Sequence, residues 1–215
     1  MAMPDVTRGS AVSAVFTALR DQILSGELLP GQALAEPDIA AQLQVSRTPV
    51  REALNHLEAQ GLIVRRHRRP VVAELNPETY AQICEVRIPL ERVAIERLAV
   101  VRSPEVLAAL ERNLAHTRYE VEQENWPAAS RLSRDFHSLI HESSGNPVLA
   151  RVLYDLHTRL EHFGQYKVLH DPDIRERLVG TLASHESVVE AVRDGLVEVA
   201  VHRLGEHLHA SLRGM

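Results

Sequence analysis

Between Ser46 and Gln60 the apolar residues Val50, Leu54 and Leu57 recur at three- to four-residue spacing, while Arg47, Arg51 and Asn55 recur at four on the opposite side. That division predicts a helix with one face packed inward and two guanidinium groups presented outward. Ser46 is placed to cap it through its hydroxyl, and Pro49 is tolerated in a first turn whose N–H groups lack internal partners. Upstream, Glu36 to Leu43 predicts a short amphipathic helix with Ile39, Ala40 and Leu43 inward, and Gln44-Val45 makes the turn between the two. Two helices joined in this way form a helix-turn-helix, whose second helix enters the major groove of DNA. Gly61 ends that helix as a left-handed cap, and Leu62-Ile63-Val64 and Val71-Val72-Ala73 predict two short strands. Between the strands lies a basic tip, Arg65-Arg66-His67-Arg68-Arg69-Pro70. A run of charge is ordinarily a solvated face; directly after a recognition helix, it points to phosphate or minor-groove contact, with Arg68 and Arg69 as candidates.

From Asn76-Pro77, a capping residue followed by a helix-opening proline, the pattern is helical throughout. The spacing predicts one long helix over Pro77 to Val101 with a kink site at Pro89, a second from Ser103-Pro104, and a third from Trp126-Pro127 to Gly145. A fourth follows from Pro147 to Lys167, a fifth from Asp171-Pro172 to Asp194-Gly195, and a last one to Leu212. Nothing there alternates as a strand would, so residues 76–215 read as an antiparallel bundle of about six helices on a mainly α chain. Residues 11–75 form the DNA-binding domain in this reading, and residues 1–10, which are polar, a flexible N-terminus.

Charge sharpens this division. The net charge of −5 argues against nucleic acid only if it is evenly spread. Through Leu75 eight arginines balance eight acids, so the whole −5 belongs to residues 76–215; within Gln44 to Pro70 six arginines oppose Glu52 and Glu58, a local +4. With 215 residues the chain can bury a substantial core. The absence of a long apolar run or a charged-then-apolar leader implies no membrane span, no secretory signal and a cytoplasmic protein. The single cysteine, Cys84, sits among Ile83, Val86 and Leu90 and reads as a packing residue.

The bundle's chemistry turns on histidines. His137 follows Phe136 and precedes Ile140 by three; His185 shares a stripe with Leu182, Val189 and Val192; His207 shares one with Ala200, Leu204 and Leu208. All three are expected to face inward, whereas His202 and His209, beside Glu206, are expected in solvent. His185 lies nine residues before the Asp194-Gly195 turn and His207 twelve after it, so at about 1.5 Å per residue they stand at comparable heights on adjacent helices. Three inward imidazoles suit a borderline divalent metal such as Zn²⁺ or Ni²⁺. A metal-free polar pocket is the alternative.

The run LAEPDIAAQLQVSRTPVREALNHLEAQGLIV resembles the winged helix-turn-helix of the GntR transcription regulators, and the remainder is similar to their fatty-acid-regulator-like (FadR/FCD) branch with an all-helical effector domain. The resemblance spans roughly residues 11 to 212. It implies that Ser46, Arg47, Thr48 and Arg51 make most operator contacts, that the wing enters the minor groove, and that residues 76–215 bind an effector and carry a homodimer contact. Pro37 stands where some members carry a DNA-touching arginine, and Arg69 where the wing tip usually has glycine. The family's effector domains often hold a metal through an Asp-x-x-x-His pair and two further histidines 22 residues apart. FHSLIHESSGNP around His137 and the 22-residue spacing of His185 and His207 match that pattern, but Ser133 occupies the acid's position. A hydroxyl is a poor zinc ligand, so the reading leaves three histidines and no protein anion, with Asp135 and His141 as alternatives. Arg87, in VRIPLE, matches an arginine that in the family can pair with a carboxylate effector, which a guanidinium fork fits bidentately. It could equally form an ion pair with Glu91. Arg134 and Arg159 are further candidates.

Three function classes follow: a ligand-responsive transcription regulator, a metal-dependent hydrolase, and a purely structural DNA-binding protein. The first accounts for both the helix-turn-helix and an inward polar cluster, and repression relieved by a small carboxylate is the expected arrangement. The second needs a base paired with the metal ligands, and no HExxH-type motif is present. The third has no use for inward histidines.

Overall fold

A computed structural model describes residues 6–74 and 76–213, with nine helices and two strands among them. Its contacts divide the chain into two compact units, residues 1–75 and 76–215.

In the first unit, α1 (Val6–Leu24) places Val15, Leu19 and Ile23 on one stripe, which packs against α3. α2 (Glu36–Gln42) and α3 (Arg47–Ala59) follow, and the turn between them passes through Gln44 at positive φ. α3 buries Val50, Ala53, Leu54 and Leu57 completely, the face its periodicity selects. Gly61 at φ +73° closes it: the Gly61 and Leu62 amides return to the carbonyls of Glu58 and Leu57, the pattern of a Schellman cap. β1 (Ile63–Arg66) and β2 (Arg69–Val72) then pair antiparallel from Ile63 opposite Val72 to Arg66 opposite Arg69.

Three expectations change here. Residues 6–10, expected to be flexible, are part of α1, because the apolar stripe of that helix gives the chain a surface to continue on; residues 1–5 lie outside the described residues. Ser46 stands at the N-cap of α3, but its hydroxyl makes no capping hydrogen bond. The wing tip is tighter than a six-residue basic run: Arg65, Arg66, Arg69 and Pro70 belong to the strands, and the turn consists of His67 and Arg68 alone, both at positive φ. That sign pattern marks a type I′ turn, whose twist suits a two-residue hairpin. Arg69, assigned to the tip by resemblance, is a strand residue.

The second unit is all helix: α4 (Pro77–Val101), α5 (Pro104–Glu122), α6 (Trp126–Ser143), α7 (Pro147–His170), α8 (Ile174–Arg193) and α9 (Val197–Arg213). Side-chain caps fix several starts. Asn76 accepts from the Glu78 amide, Ser103 from the Val106 amide, and Asn146 from the amides of Val148 and Leu149. α4 runs unbroken through Pro89, which is exposed and whose ring removes the hydrogen bond that the Glu85 carbonyl would otherwise accept within the helix. The turn between α8 and α9 needs glycine: Gly195 sits at φ +72°, and a Cβ there would stand 2.8 Å from Arg102 Nη1. The core holds Ile95, Leu98, Leu110, Phe136, Leu153 and Leu204, all at most 1% exposed. Among the described residues, no helix is long and apolar enough to cross a membrane.

The wing turn is a direct target. Left-handed backbone costs a non-glycine residue about 1–2 kcal/mol, so Arg68→Gly is expected to raise the unfolding midpoint in denaturant while removing one exposed cation. A lowered midpoint would show that the turn is not strained.

Candidate functional site

The first unit presents its arginines on an exposed surface. Arg51 on α3 is held by Glu36 on α2: its Nε and Nη2 donate to the carboxylate, the latter at 2.8 Å, and the hydrogen bond from Arg51 is the main reason the Glu36 carboxyl lies below its ordinary value. Arg65 donates to both Glu58 and Asn55 at 2.8 Å, and Arg66 makes a two-pronged contact with Glu74. Ser46, Arg47, Thr48, Arg51 and Asn55 are all exposed on one helix start and face, with Arg68 and Arg69 exposed on the hairpin. Among the described residues Arg47, Arg68 and Arg69 have no acidic partner. The local +4 is therefore reduced from outside the window, by Glu36 and Glu74, and concentrated on those three. Glu36 went unnoticed in the sequence because its relation to Arg51 spans two helices.

In the second unit, α6 carries Ser133, His137 and His141 at i, i+4 and i+8, one stripe turned toward α4, α7, α8 and α9. His137, His185 and His207 are buried, and their Nε2 atoms converge: His207 Nε2 lies 3.2 Å from that of His137 and 3.1 Å from that of His185. His202 and His209 are exposed. Phe136 stacks on His185 with centroids 3.9 Å apart and planes 10° from parallel.

Behind His137 stands Glu91, fully buried. Its Oε2 accepts from His137 Nδ1 at 2.9 Å, its Oε1 accepts from Arg87 Nε, and His141 Nε2 approaches Oε1 at 3.2 Å without hydrogen-bond alignment. Burial alone would raise the Glu91 carboxyl, but Arg87 and His137 outweigh it and hold it well below the usual range. An ionised carboxylate can only accept, so His137 carries its hydrogen on Nδ1 and turns a bare lone pair on Nε2 toward the other two rings. Burial pushes His137 and His185 below the ordinary histidine value and His207 down to about 3, which keeps the rings neutral. The expectation of a site without a protein anion is thus corrected: a carboxylate is present one ring removed from the nitrogens, on α4, where the α6 motif gave no sign of it.

These donors fit a metal. Neutral imidazole nitrogens that meet at 3.1–3.2 Å have one hydrogen at most to share in each contact. With metal–nitrogen distances of about 2.0–2.1 Å, tetrahedral ligands stand about 3.3 Å apart. A carboxylate behind a ligating histidine is the usual means of fixing its tautomer. Ser133 lines a cavity of about 140 Å³ beside the three rings, together with Arg87, Arg134 and His157. Arg87 makes the ion pair considered for it, with Nε committed to Glu91, while Nη2 is buried with no partner. Arg134 also lines the cavity, its Nη1 donating to Ser130 Oγ at 2.8 Å. Arg159 does not belong with them; it is exposed on α7, while its neighbour Leu160, a third of a turn on, lines the cavity. Asp135 is exposed. His157, not singled out by any motif, is half-buried at the cavity with its Nδ1 buried and unpartnered, and desolvation holds it well below its ordinary value.

Comparison with known proteins supplies independent findings. Residues 82–210 match the family model of the FCD domain, and residues 11–72 that of the bacterial regulatory proteins of the gntR family. The chain is 32% identical over 176 residues to the HTH-type transcriptional regulator Mce2R of Mycobacterium tuberculosis, covering 72% of each. It is 28% identical over 193 residues to the gluconate operon transcriptional repressor of Bacillus subtilis, covering 87% of this chain and 78% of that protein. Among solved structures, E. coli McbR/YncC superposes with a TM-score of 0.77 at 26% identity, covering 94% of this chain and 95% of that one.

Two outcomes follow from the buried charges. Glu91→Gln strands Arg87 as an uncompensated cation and is expected to cost about 3–5 kcal/mol of stability, with most of it regained when Arg87→Met is added; a loss below about 1 kcal/mol would contradict the pairing. Below pH of about 6.5 the unfolded chain takes up protons on His137, His157, His185 and His207 that the folded chain refuses. The chelator-treated protein is therefore expected to lose stability from pH 7 to pH 5, by up to about 1.4 kcal/mol per pH unit for each histidine. A thermal midpoint that holds constant over that range would contradict the neutral, buried rings.

Proposed function

The chain belongs to the gntR family of bacterial transcription regulators with an FCD domain, and from that premise we propose that it is a cytoplasmic repressor released from a palindromic operator by a small carboxylate. The observation that carries this reading is the convergence of three neutral Nε2 atoms beside a cavity in which Arg87 Nη2 has no partner. α3 enters the major groove, where Arg47 and Arg51 read base edges and Ser46, Thr48 and Asn55 assist; Arg68 and Arg69 on the hairpin meet phosphates or the minor groove. One such module spans few base pairs, and a homodimer on a two-fold site doubles the length read.

His137, His185 and His207 would hold a divalent cation, Zn²⁺ or Ni²⁺, with Ser133 nearby on α6 as a weak neighbour and not a full ligand. Such a cation would supply positive charge for an anion. Glu91 fixes His137 in the ligating tautomer, and Arg87 offers its remaining N–H groups to the same anion, so the carboxylate is gripped from two sides. Because effector and metal share one charge balance, each tightens the other by the same factor. The gluconate operon repressor of Bacillus subtilis, to which the chain is similar, supports repression as the sign of control.

With a duplex selected in vitro from random sequence, Arg47→Ala and Arg51→Ala are each expected to weaken binding at least about tenfold, as the loss of a bidentate guanine contact implies. Arg68→Ala should weaken all sequences alike and flatten the salt dependence. Arginine variants that bind within twofold of wild type would refute the assigned face. In calorimetric titration of Zn²⁺ into chelator-treated protein, one site is expected in wild type, tighter in Ser133→Asp, and absent in His185→Ala. No heat in any of the three would refute the metal.

A further inference from the structure

The cavity beside the three histidines carries more hydroxyls than a bare carboxylate could use. Tyr80 from α4, Ser130 and Ser133 from α6, Thr181 from α8 and Ser211 from α9 all line it, and Leu160 is the single aliphatic side chain among its lining residues. It adjoins a recess of about 370 Å³, since Tyr80, Thr181, His207 and Ser211 line both. The recess adds Ser184, Glu176 and Arg177, and its only aliphatic side chain is that of Ala210.

Neither space is walled by aliphatic side chains beyond Leu160 and Ala210. The Ser133 and Thr181 hydroxyls have no hydrogen-bond partner among the described residues. Ser130 Oγ accepts from Arg134, so its own hydrogen is left to give. Ser211 Oγ donates to the His207 carbonyl at 3.2 Å, so its lone pairs are left to receive. The wall thus offers donors and acceptors together, the complement of ligand hydroxyls, which are both; an alkyl or aryl chain would cover these groups without pairing them, at a cost. Charge limits the acid to one end. At the inner end Arg87 Nη2 is unpartnered, whereas in the recess Arg177 is already paired with Asp171 at 2.6 Å and Glu176 would repel a second carboxylate.

Resting on the reading of this cavity as the effector site, we propose that the effector is a polyhydroxylated monocarboxylic acid of the sugar-acid type. Its carboxylate lies at the inner end beside Arg87, and its hydroxylated chain runs past Thr181 and Ser211 into the recess. The class follows from the wall: a fatty acid leaves the hydroxyls unpaired, a dicarboxylate meets Glu176, and a neutral polyol leaves the inner cation unanswered.

The test is calorimetry on the full-length, Zn²⁺-loaded protein with aldonates of four to six carbons (threonate, gluconate and galactonate), hexanoate, and the neutral polyol glucitol. At least one aldonate is expected to bind 30-fold or more tighter than both hexanoate and glucitol. Thr181→Val and Ser211→Ala are each expected to weaken that aldonate fivefold or more and to leave hexanoate unchanged. Hexanoate equal to or better than every aldonate overturns the sugar-acid class while leaving a carboxylate effector in place. Glucitol equal to the best aldonate overturns the carboxylate reading itself, and with it this inference. Failure of every aldonate to bind, or undiminished aldonate affinity in Thr181→Val and Ser211→Ala, also overturns it.

Discussion

Much of the bundle's polar interior is the consequence of one buried carboxylate. A charge at Glu91, removed from water, persists only if its neighbours replace the lost hydration, and Arg87 and His137 do so with hydrogen bonds from two helices. Satisfying it commits them in turn. His137 spends its hydrogen on Nδ1 and keeps an empty Nε2; Arg87 spends Nε and keeps Nη2. Neutralising one charge therefore leaves two groups of opposite use beside the same cavity, a lone pair and a donor. The arrangement is also why the replacement of an acid by Ser133 on α6 leaves the site near a negative charge.

The DNA-binding unit uses a related device in water. Glu36 grips Arg51 across the helix-turn-helix, but both side chains are partly exposed, so the pair adds little to stability. Its effect is on freedom: a guanidinium already confined to a narrow set of rotamers loses less entropy when it docks in a groove. Arg47, Arg68 and Arg69, without an ion-pair partner among the described residues, supply attraction in place of that order. Buried acids thus set protonation and exposed acids set posture.

Most of the architecture is legible from periodicity and punctuation. The bundle helices open at Asn76-Pro77, Ser103-Pro104, Trp126-Pro127 and Asn146-Pro147, where cap and proline chemistry act locally, and the apolar stripe of α3 selects its own buried face. The three central histidines were also legible, because each lies on an apolar stripe and the distance of His185 and His207 from their shared turn sets their height. What escaped is what depends on contacts between distant segments. Glu91 meets His137 across 46 residues, and although it shares the buried stripe of α4 with Arg87, Ala94 and Leu98, nothing local names His137 as its partner. His157 gains its importance only from α7 lying against α4 and α6. The wing turn escaped for the opposite reason: a run of four arginines and a histidine reads as one uniform tip, and only pairing register separates the two turn residues from their strand neighbours.

The flat contact between Phe136 and His185 bears on time as well as place. With the rings 3.9 Å apart and nearly parallel, and the imidazole buried on all sides, His185 has no room to turn over and offer its other nitrogen. Exchange at its Nε2 cannot proceed by ring rotation, the fast route open to a surface histidine. It must wait for α6 and α8 to separate, a collective motion far slower than a side-chain flip. A ligand held at this nitrogen would be retained or released with the breathing of two helices, so the packing of a phenylalanine would set the clock for a site to which it contributes no ligand.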